Sequence, residues 1–287
     1  MNIMQKEFVP LLKEATAECR RIFKDNFRTA YLHGSIALND AVPYISDLDY
    51  YLVVSKDIDG RDSNRLAELE AGLQSRYPVV NGVHINAHST EELRRDMFSR
   101  FILRYNSVVY SGGDIVREME NEGCDRLFPN ADTAKMRLGF ARQCFSEALG
   151  GGQPSNTGEI PSDTFYAARK YARYFAVIEG AYFLMSQGRF STFEKENVIS
   201  ELRQFLLEIR QYSCVEFVQA DEISDCAIRT QSLCGVALRN ATTGFEDILD
   251  ITERVLYDPV KAGVGKDDYL KTVRPLVEWM FEKIQNA

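Results

Sequence analysis

The chain has 287 residues, 45% hydrophobic and 26% charged, with a formal net charge of −8 and a pI near 5.1. That length and composition fit a globular protein of one large or two ordinary domains. The acidic balance argues against a general nucleic-acid binder, which would present a basic face. No apolar run of about 18 residues is present, which argues against a membrane span. The opening stretch MNIMQKEFVPLLKEATAECRR carries acids throughout and lacks the apolar core of an export signal. The six cysteines are scattered without a C-x-x-C pair, and the three histidines do not join them at zinc-finger spacing. Reduced core thiols in a cytoplasmic protein are therefore expected.

In chain order, residues 4–24 have helical periodicity, with Phe8, Leu11, Leu12, Ala15, Cys19 and Ile22 on one face. A strand is predicted from Thr29 to His33, ending at Gly34-Ser35. A helical turn over Ile36–Asp40 and a loop with Pro43 lead to a second strand, Asp49 to Val54. A helix follows over Asn64–Arg76, with Leu66, Leu69 and Leu73 on one side. A third extended stretch runs from Val79 to His88, with a kink or turn at Asn81-Gly82. Ser89 or Thr90 caps a helix that carries acids in its first turn and reaches about Tyr105. A short strand is expected over Ser107–Tyr110. This alternation predicts a small mixed α/β domain over residues 1–130.

Beyond Asn130 the character changes. Thr133–Ala148 reads as a helix, and a turn-rich segment from Leu149 to Asp163 follows. Helices are then predicted over Asp163–Gln187, Phe193–Gln211, Ser213 to about Asn240, Thr243–Tyr257 and Asp267 to the end. The expected fold class is α+β: an N-terminal α/β domain with a small mixed sheet, followed by an all-helical bundle over residues 131–287. The aromatics of the Asp163–Gln187 helix read mostly as core, with Tyr174, Arg173 or Glu179 as candidates for the lining of a ligand cleft.

The chemistry concentrates between Tyr31 and Val54, in YLHGSIALNDAVPYISDLDYYLVV. Asp47 and Asp49 are two residues apart at a strand entrance, so their carboxylates point to one face. Magnesium takes hard oxygen ligands, commonly one or two carboxylates completed by substrate phosphates and water. Gly34 permits close backbone approach, and the free N–H groups of the turn, with the Ser35 hydroxyl, can hold a phosphate.

An apolar strand, Gly-Ser, a loop, then Ser-Asp-x-Asp and a second apolar strand resembles the signature of the polymerase-β-like nucleotidyltransferase superfamily. HGS at His33–Ser35 and SDLDYYLVV at Ser46–Val54 look like the aminoglycoside adenylyltransferases of the streptomycin/spectinomycin type. The resemblance implies that Asp47 and Asp49 bind Mg2+ and that Gly34 and Ser35 hold the triphosphate of ATP. It also implies transfer of AMP to a hydroxyl of a small acceptor, an aminoglycoside-like antibiotic being one candidate. The family's third catalytic acid lies on the strand after the intervening helix. Here that strand reads VNGVHINAHS, with His84, Asn86 and His88 at alternate positions and no carboxylate. His84 or His88 is the candidate stand-in for the base, with His84 carried as the site residue, and Asn86 is a candidate neutral metal ligand. From the helical domain the family contributes a lysine near a glycine turn; Gly188 marks such a turn, with Arg189 and Lys195 as candidate nucleotide contacts. Two other readings stay open: a nucleotide-binding regulatory protein that has lost turnover, and nucleotidyl transfer to a protein or RNA partner.

Overall fold

Pro10, with its fixed φ and missing N–H, opens helix α1, Val9–Phe23, after a short 3-10 turn at Lys6–Phe8. The helix therefore begins later than the apolar periodicity indicated. The computed structural model describes residues 5–154, 160–215 and 244–287, the side chains of 211–215 excepted. Two compact units divide the chain, Met1–Phe128 and Pro129–Ala287.

The first unit is built on a four-stranded mixed sheet of β1 (Phe27–His33), β2 (Leu48–Val54), β3 (Val83–Ser89) and β4 (Ser107–Gly112). Their order is β3-β2-β1-β4. β1 lies antiparallel to β2 and to β4, whereas β2 and β3 are parallel. A parallel pair needs a crossover, supplied by helix α3, Gly60–Arg76. That helix starts four residues earlier than its hydrophobic periodicity suggests, because Asp59 accepts hydrogen bonds from the Arg61 and Asp62 N–H groups. The alternation of β2 divides the core. Tyr50, Leu52 and Val54 pack with Leu11, Leu12, Ala15 and Cys19 of α1 and with Leu66, Leu69 and Leu73 of α3. On the opposite face, Val53 and Tyr31 pack with Leu93, Leu103, Ile115, Val116 and Met119.

The expected single helix after β3 is broken. Helix α4, Thr90–Arg95, is opened by a capping box between Ser89 and Glu92. Asp96 then leaves the helical region (φ −96°, ψ 88°) and caps α5, Met97–Tyr105, by accepting from the Ser99 N–H at 2.9 Å. The local hydrogen bond of Asp96 outcompetes helix continuation. A short helix, α6 (Ile115–Asn121), completes the unit. The third extended stretch also shortens, since residues 79–82 are used in a turn and β3 begins only at Val83.

In the second unit helices are the only regular elements among the described residues. It holds α7 (Ala131–Leu149), α8 (Thr164–Tyr171), α9 (Glu179–Ser186), α10 (Lys195–Val215), α11 (residues 244–257), α12 (Pro259–Ala262) and α13 (Lys266–Asn286). The helix expected over Ser213–Asn240 lies almost entirely outside the described residues. Buried positions on α13 (Tyr269, Leu270, Val273, Leu276, Val277, Met280, Phe281 and Ile284) follow helical spacing. The Asp163–Gln187 helix is not one regular α-helix. Its middle, Ala172–Ile178, is π-helical and joins α8 to α9.

At this join sits a buried charge pair. Glu179 is fully buried and takes a hydrogen bond from Arg137 Nη2 at 3.1 Å; the same guanidinium reaches the Tyr174 hydroxyl at 2.5 Å. Glu179 therefore faces Arg137 inside the bundle and does not line a cleft surface. Arg173 donates to the Phe193 carbonyl at 3.2 Å. Burial pushes the Glu179 carboxyl up, while the positive charge of Arg137 pulls it down. Removing one partner of such a pair strands the other charge, which typically costs about 3–5 kcal/mol. Arg137→Met should lower the free energy of urea unfolding by that order, and adding Glu179→Gln should recover part of the loss. Cys19 is fully buried and its thiol is pushed up to about 12 by desolvation. Native protein treated with iodoacetamide at pH 8 should be modified at the half-exposed Cys124 and spared at Cys19, as read by peptide mass mapping.

Candidate functional site

The sheet aligns four polar side chains across its width. His33 pairs with Asp49 in the β1–β2 ladder, Asp49 with His84 in the β2–β3 ladder, and His33 with Ser107 in the β1–β4 ladder. The row therefore runs His84, Asp49, His33, Ser107, with neighbouring strands about 4.8 Å apart. Asp49 shares its face with Tyr51 and Val53, so the polar row continues the face that α4, α5 and α6 cover further along. Asn86 stands one step on, opposite Tyr51, and its side chain is exposed. His88 stands opposite Val53, about 13 Å along the strand from His84. It is stacked on Tyr51 with ring centroids 4.8 Å apart and planes inclined by 6°. Of the three polar positions on β3, only His84 lies beside the aspartates.

Gly34 and Ser35 begin the four-residue helix α2, Gly34–Ala37, immediately after β1. Gly34 has φ +69°, a region that costs an L side chain, and a Cβ there would come within 2.6 Å of Asp49 Oδ2. The glycine thus lets backbone and carboxylate approach each other directly. Ser35 is half-buried, and its hydroxyl makes no hydrogen bond within the described residues.

Asp47 is 6% exposed and is positioned by a stitched pair of loops. The Leu48 N–H donates to the Gly82 carbonyl at 2.9 Å, the Asn81 N–H to the Ser46 carbonyl at 3.0 Å, and the Tyr44 N–H to the Val79 carbonyl at 2.7 Å. Within the first loop, the Val42 N–H donates to Ser46 Oγ at 2.9 Å. Gly82 also serves a close approach: a Cβ on it would meet His84 Nε2 at 3.1 Å and Asp47 Oδ1 at 3.5 Å. Tyr44 sits in the same loop at φ +68°, with its side chain 70% exposed. A bulky residue in this region stores roughly 1–3 kcal/mol of strain, held here by the loop hydrogen bonds.

His33 is oriented by its own partner. Its Nδ1 lies 2.9 Å from the Asn106 carbonyl oxygen. A carbonyl only accepts, so Nδ1 carries the proton and Nε2 of the neutral ring is the basic nitrogen. Sequence reasoning assigned no role in the site to His33, Gly82 or Tyr44, although His33 stands in the HGS motif. His33 directly precedes the Gly-Ser pair, which was its available signal; Asn81-Gly82 read simply as a turn, and a strained tyrosine has no sequence signature.

The candidates on the helical unit are engaged within that unit. Arg189 pairs with Glu208 at 2.5 Å and Glu201 at 3.3 Å, and its guanidinium lies 5.7 Å from the Phe205 ring centroid. Lys195 is buried, 3.8 Å from Glu196 and 4.8 Å from the ring centroid of Tyr257.

A strand carboxylate, Asp49, with a second at Asp47 just before the strand and an adjoining glycine turn, offers the oxygen donors that a divalent ion shares with substrate phosphates. Among the described residues, no group of three or more His, Cys, Asp or Glu side chains is arranged to hold a metal ion. Nor is any helix among them long and apolar enough to cross a membrane.

No protein-family model matches the chain, and no curated protein is significantly similar to it. A solved structure similar to this chain is that of spectinomycin adenyltransferase AAD(9) from Enterococcus faecialis with ATP and spectinomycin. The two are 15% identical with a TM-score of 0.32, over 96% of this chain and 99% of the other. The functional reading rests on the site residues themselves.

Gly34→Ala should test the close approach. It places a methyl group against Asp49 Oδ2 at positive φ, and should lower stability by about 1–3 kcal/mol in urea unfolding. It should also weaken nucleotide binding measured by calorimetry.

Proposed function

We propose that this protein is a Mg2+-dependent nucleotidyltransferase that moves AMP from ATP to a hydroxyl of a small acceptor, an aminoglycoside-like antibiotic being one candidate. The observation that carries the reading is the apposition of the Gly34–Ser35 turn to Asp49, with Asp47 two residues away on a stitched loop. Gly34 and Ser35 hold the triphosphate through backbone N–H groups and the Ser35 hydroxyl. Asp47 and Asp49 hold the metal, and His84 takes the third position beside them. A divalent ion bound there would neutralise charge on the phosphates and on the leaving pyrophosphate oxygen. The acceptor hydroxyl attacks the α-phosphorus, its bond to phosphorus forms as the bond to pyrophosphate breaks, and the hydroxyl proton passes to a base or to solvent. No covalent enzyme intermediate is required. Arg189 and Lys195 remain candidate phosphate contacts, each at the cost of its contacts inside the helical unit. The acidic chain suits a cationic acceptor better than RNA. We place the protein in the cytoplasm, where ATP is abundant and thiols stay reduced.

A second reading is supported by the strand Val83–Ser89, which carries no carboxylate. On that reading the protein binds nucleotide without turnover. Incubation with Mg2+, labelled ATP and a panel of aminoglycosides, proteins and RNA separates the two: pyrophosphate release with one acceptor supports the enzyme, while binding without release under every condition supports the regulator. Asp47→Ala combined with Asp49→Ala should abolish Mg2+-dependent ATP binding and any AMP transfer while leaving the circular-dichroism spectrum unchanged. Normal MgATP binding by that variant would remove the basis for either reading.

A further inference from the structure

We propose that the cleft between α7 and α13 binds a small aromatic monoanion, a flat apolar body carrying one carboxylate. Its walls belong entirely to the helical unit, and the nucleotidyl-transfer reading makes no use of them.

Sequence spacing builds the cleft. Arg142, Phe145, Ser146 and Leu149 stand at i, i+3, i+4 and i+7 on α7, and Arg274, Glu278 and Phe281 at i, i+4 and i+7 on α13. Residues at those steps share one helix face. Where the two faces meet they border a space of about 390 Å³, which lies within the size range of small-molecule sites. Its floor is aromatic. Phe145 and Phe281 are both buried, and their rings meet edge to face with centroids 6.1 Å apart. Leu149, 38% exposed, adds an apolar surface beside them.

Charge sets the sign of the ligand. Arg274 is neutralised by Glu278, whose carboxylate accepts from its Nε at 2.8 Å. Arg142 donates instead to the neutral Oε1 of Gln285 at 2.7 Å and forms no ion pair with a carboxylate among the described residues. The cleft thus keeps one uncompensated positive charge in a chain whose net charge is −8. A guanidinium binds a carboxylate through parallel N–H donors in one plane. The phenylalanine floor accepts a flat ring by offset or edge contact. A cation would be repelled by Arg142, and a triphosphate would bring more negative charge than one guanidinium balances beside Glu278. A single carboxylate on an aromatic body matches both features.

The test is titration calorimetry of the full-length chain, at low ionic strength, with 2-naphthoate and with its neutral counterpart 2-naphthalenemethanol. It is repeated on Arg142→Met and Ser146→Trp, two exposed helix positions where the fold tolerates exchange. Naphthoate should bind once per chain and about fivefold more tightly than the alcohol, the upper range for a solvent-exposed charge pair. Arg142→Met should remove that advantage and leave binding of the alcohol unchanged. Ser146→Trp, which sends a ring into the cleft, should abolish binding of both. Absence of naphthoate binding at millimolar concentration overturns the proposal. So does equal affinity for the alcohol, or naphthoate binding that either variant leaves unchanged.

Discussion

Gly34 and Asp49 meet where β1 ends and β2 begins, and the contact exists only because Gly34 has no Cβ. The antiparallel ladder brings His33 opposite Asp49, the positive φ of Gly34 turns the chain out of the strand, and the carboxylate oxygen occupies the space a side chain would fill. A glycine turn and a strand carboxylate are thereby placed side by side by backbone geometry. Asp49 sits on a strand, and Gly34 directly follows one, whose opposite faces are locked into the core with α1 and α3. Side chains built on rigid strands hold their positions more closely than side chains on loops.

Asp47 lacks that support, since it precedes the strand. Its position comes from hydrogen bonds between its loop and residues 79–82, and these tie the first half of the site to the entrance of β3. The same stitching sustains the strained Tyr44 and brings His84 alongside the aspartates. One set of loop contacts thus positions the carboxylate, limits the start of the third strand and sets the polar row. The pattern fits a centre in which precision is concentrated at one end of the sheet.

In the helical unit, charge is used for packing. Arg137 and Glu179 are buried against each other beside the π-helical join, and the Arg189 guanidinium is clasped by acids of α10. Burying an ion pair brings little net stability but penalises alternative packings of the helices around it. Of the polar residues of the Asp163–Gln187 stretch that on paper could face a cleft, Glu179 is buried, while Arg173 and Tyr174 are half-buried.

The α+β class, the mixed character of the first unit and the helical nature of the second were legible in the sequence, because hydrophobic periodicity reports directly which face of an element is buried. Gly34, Ser35, Asp47 and Asp49 were legible as candidates for a related reason, as residue types whose chemistry is local: a glycine before a turn, and two carboxylates at the entrance of a strand, of which only Asp49 lies within it. Element ends were less legible. Asp59 and Asp96 move helix boundaries through side-chain hydrogen bonds that periodicity does not register. Where His84 stands was decided by tertiary structure alone. Three alternating polar residues on one strand look equivalent in the sequence, and only the register against β2 separates the one beside Asp49 from the one in solvent and the one stacked on Tyr51. Register is a pairing between strands some 35 residues apart, fixed by the crossover and the stitched loops, and it is therefore absent from any local pattern along the chain.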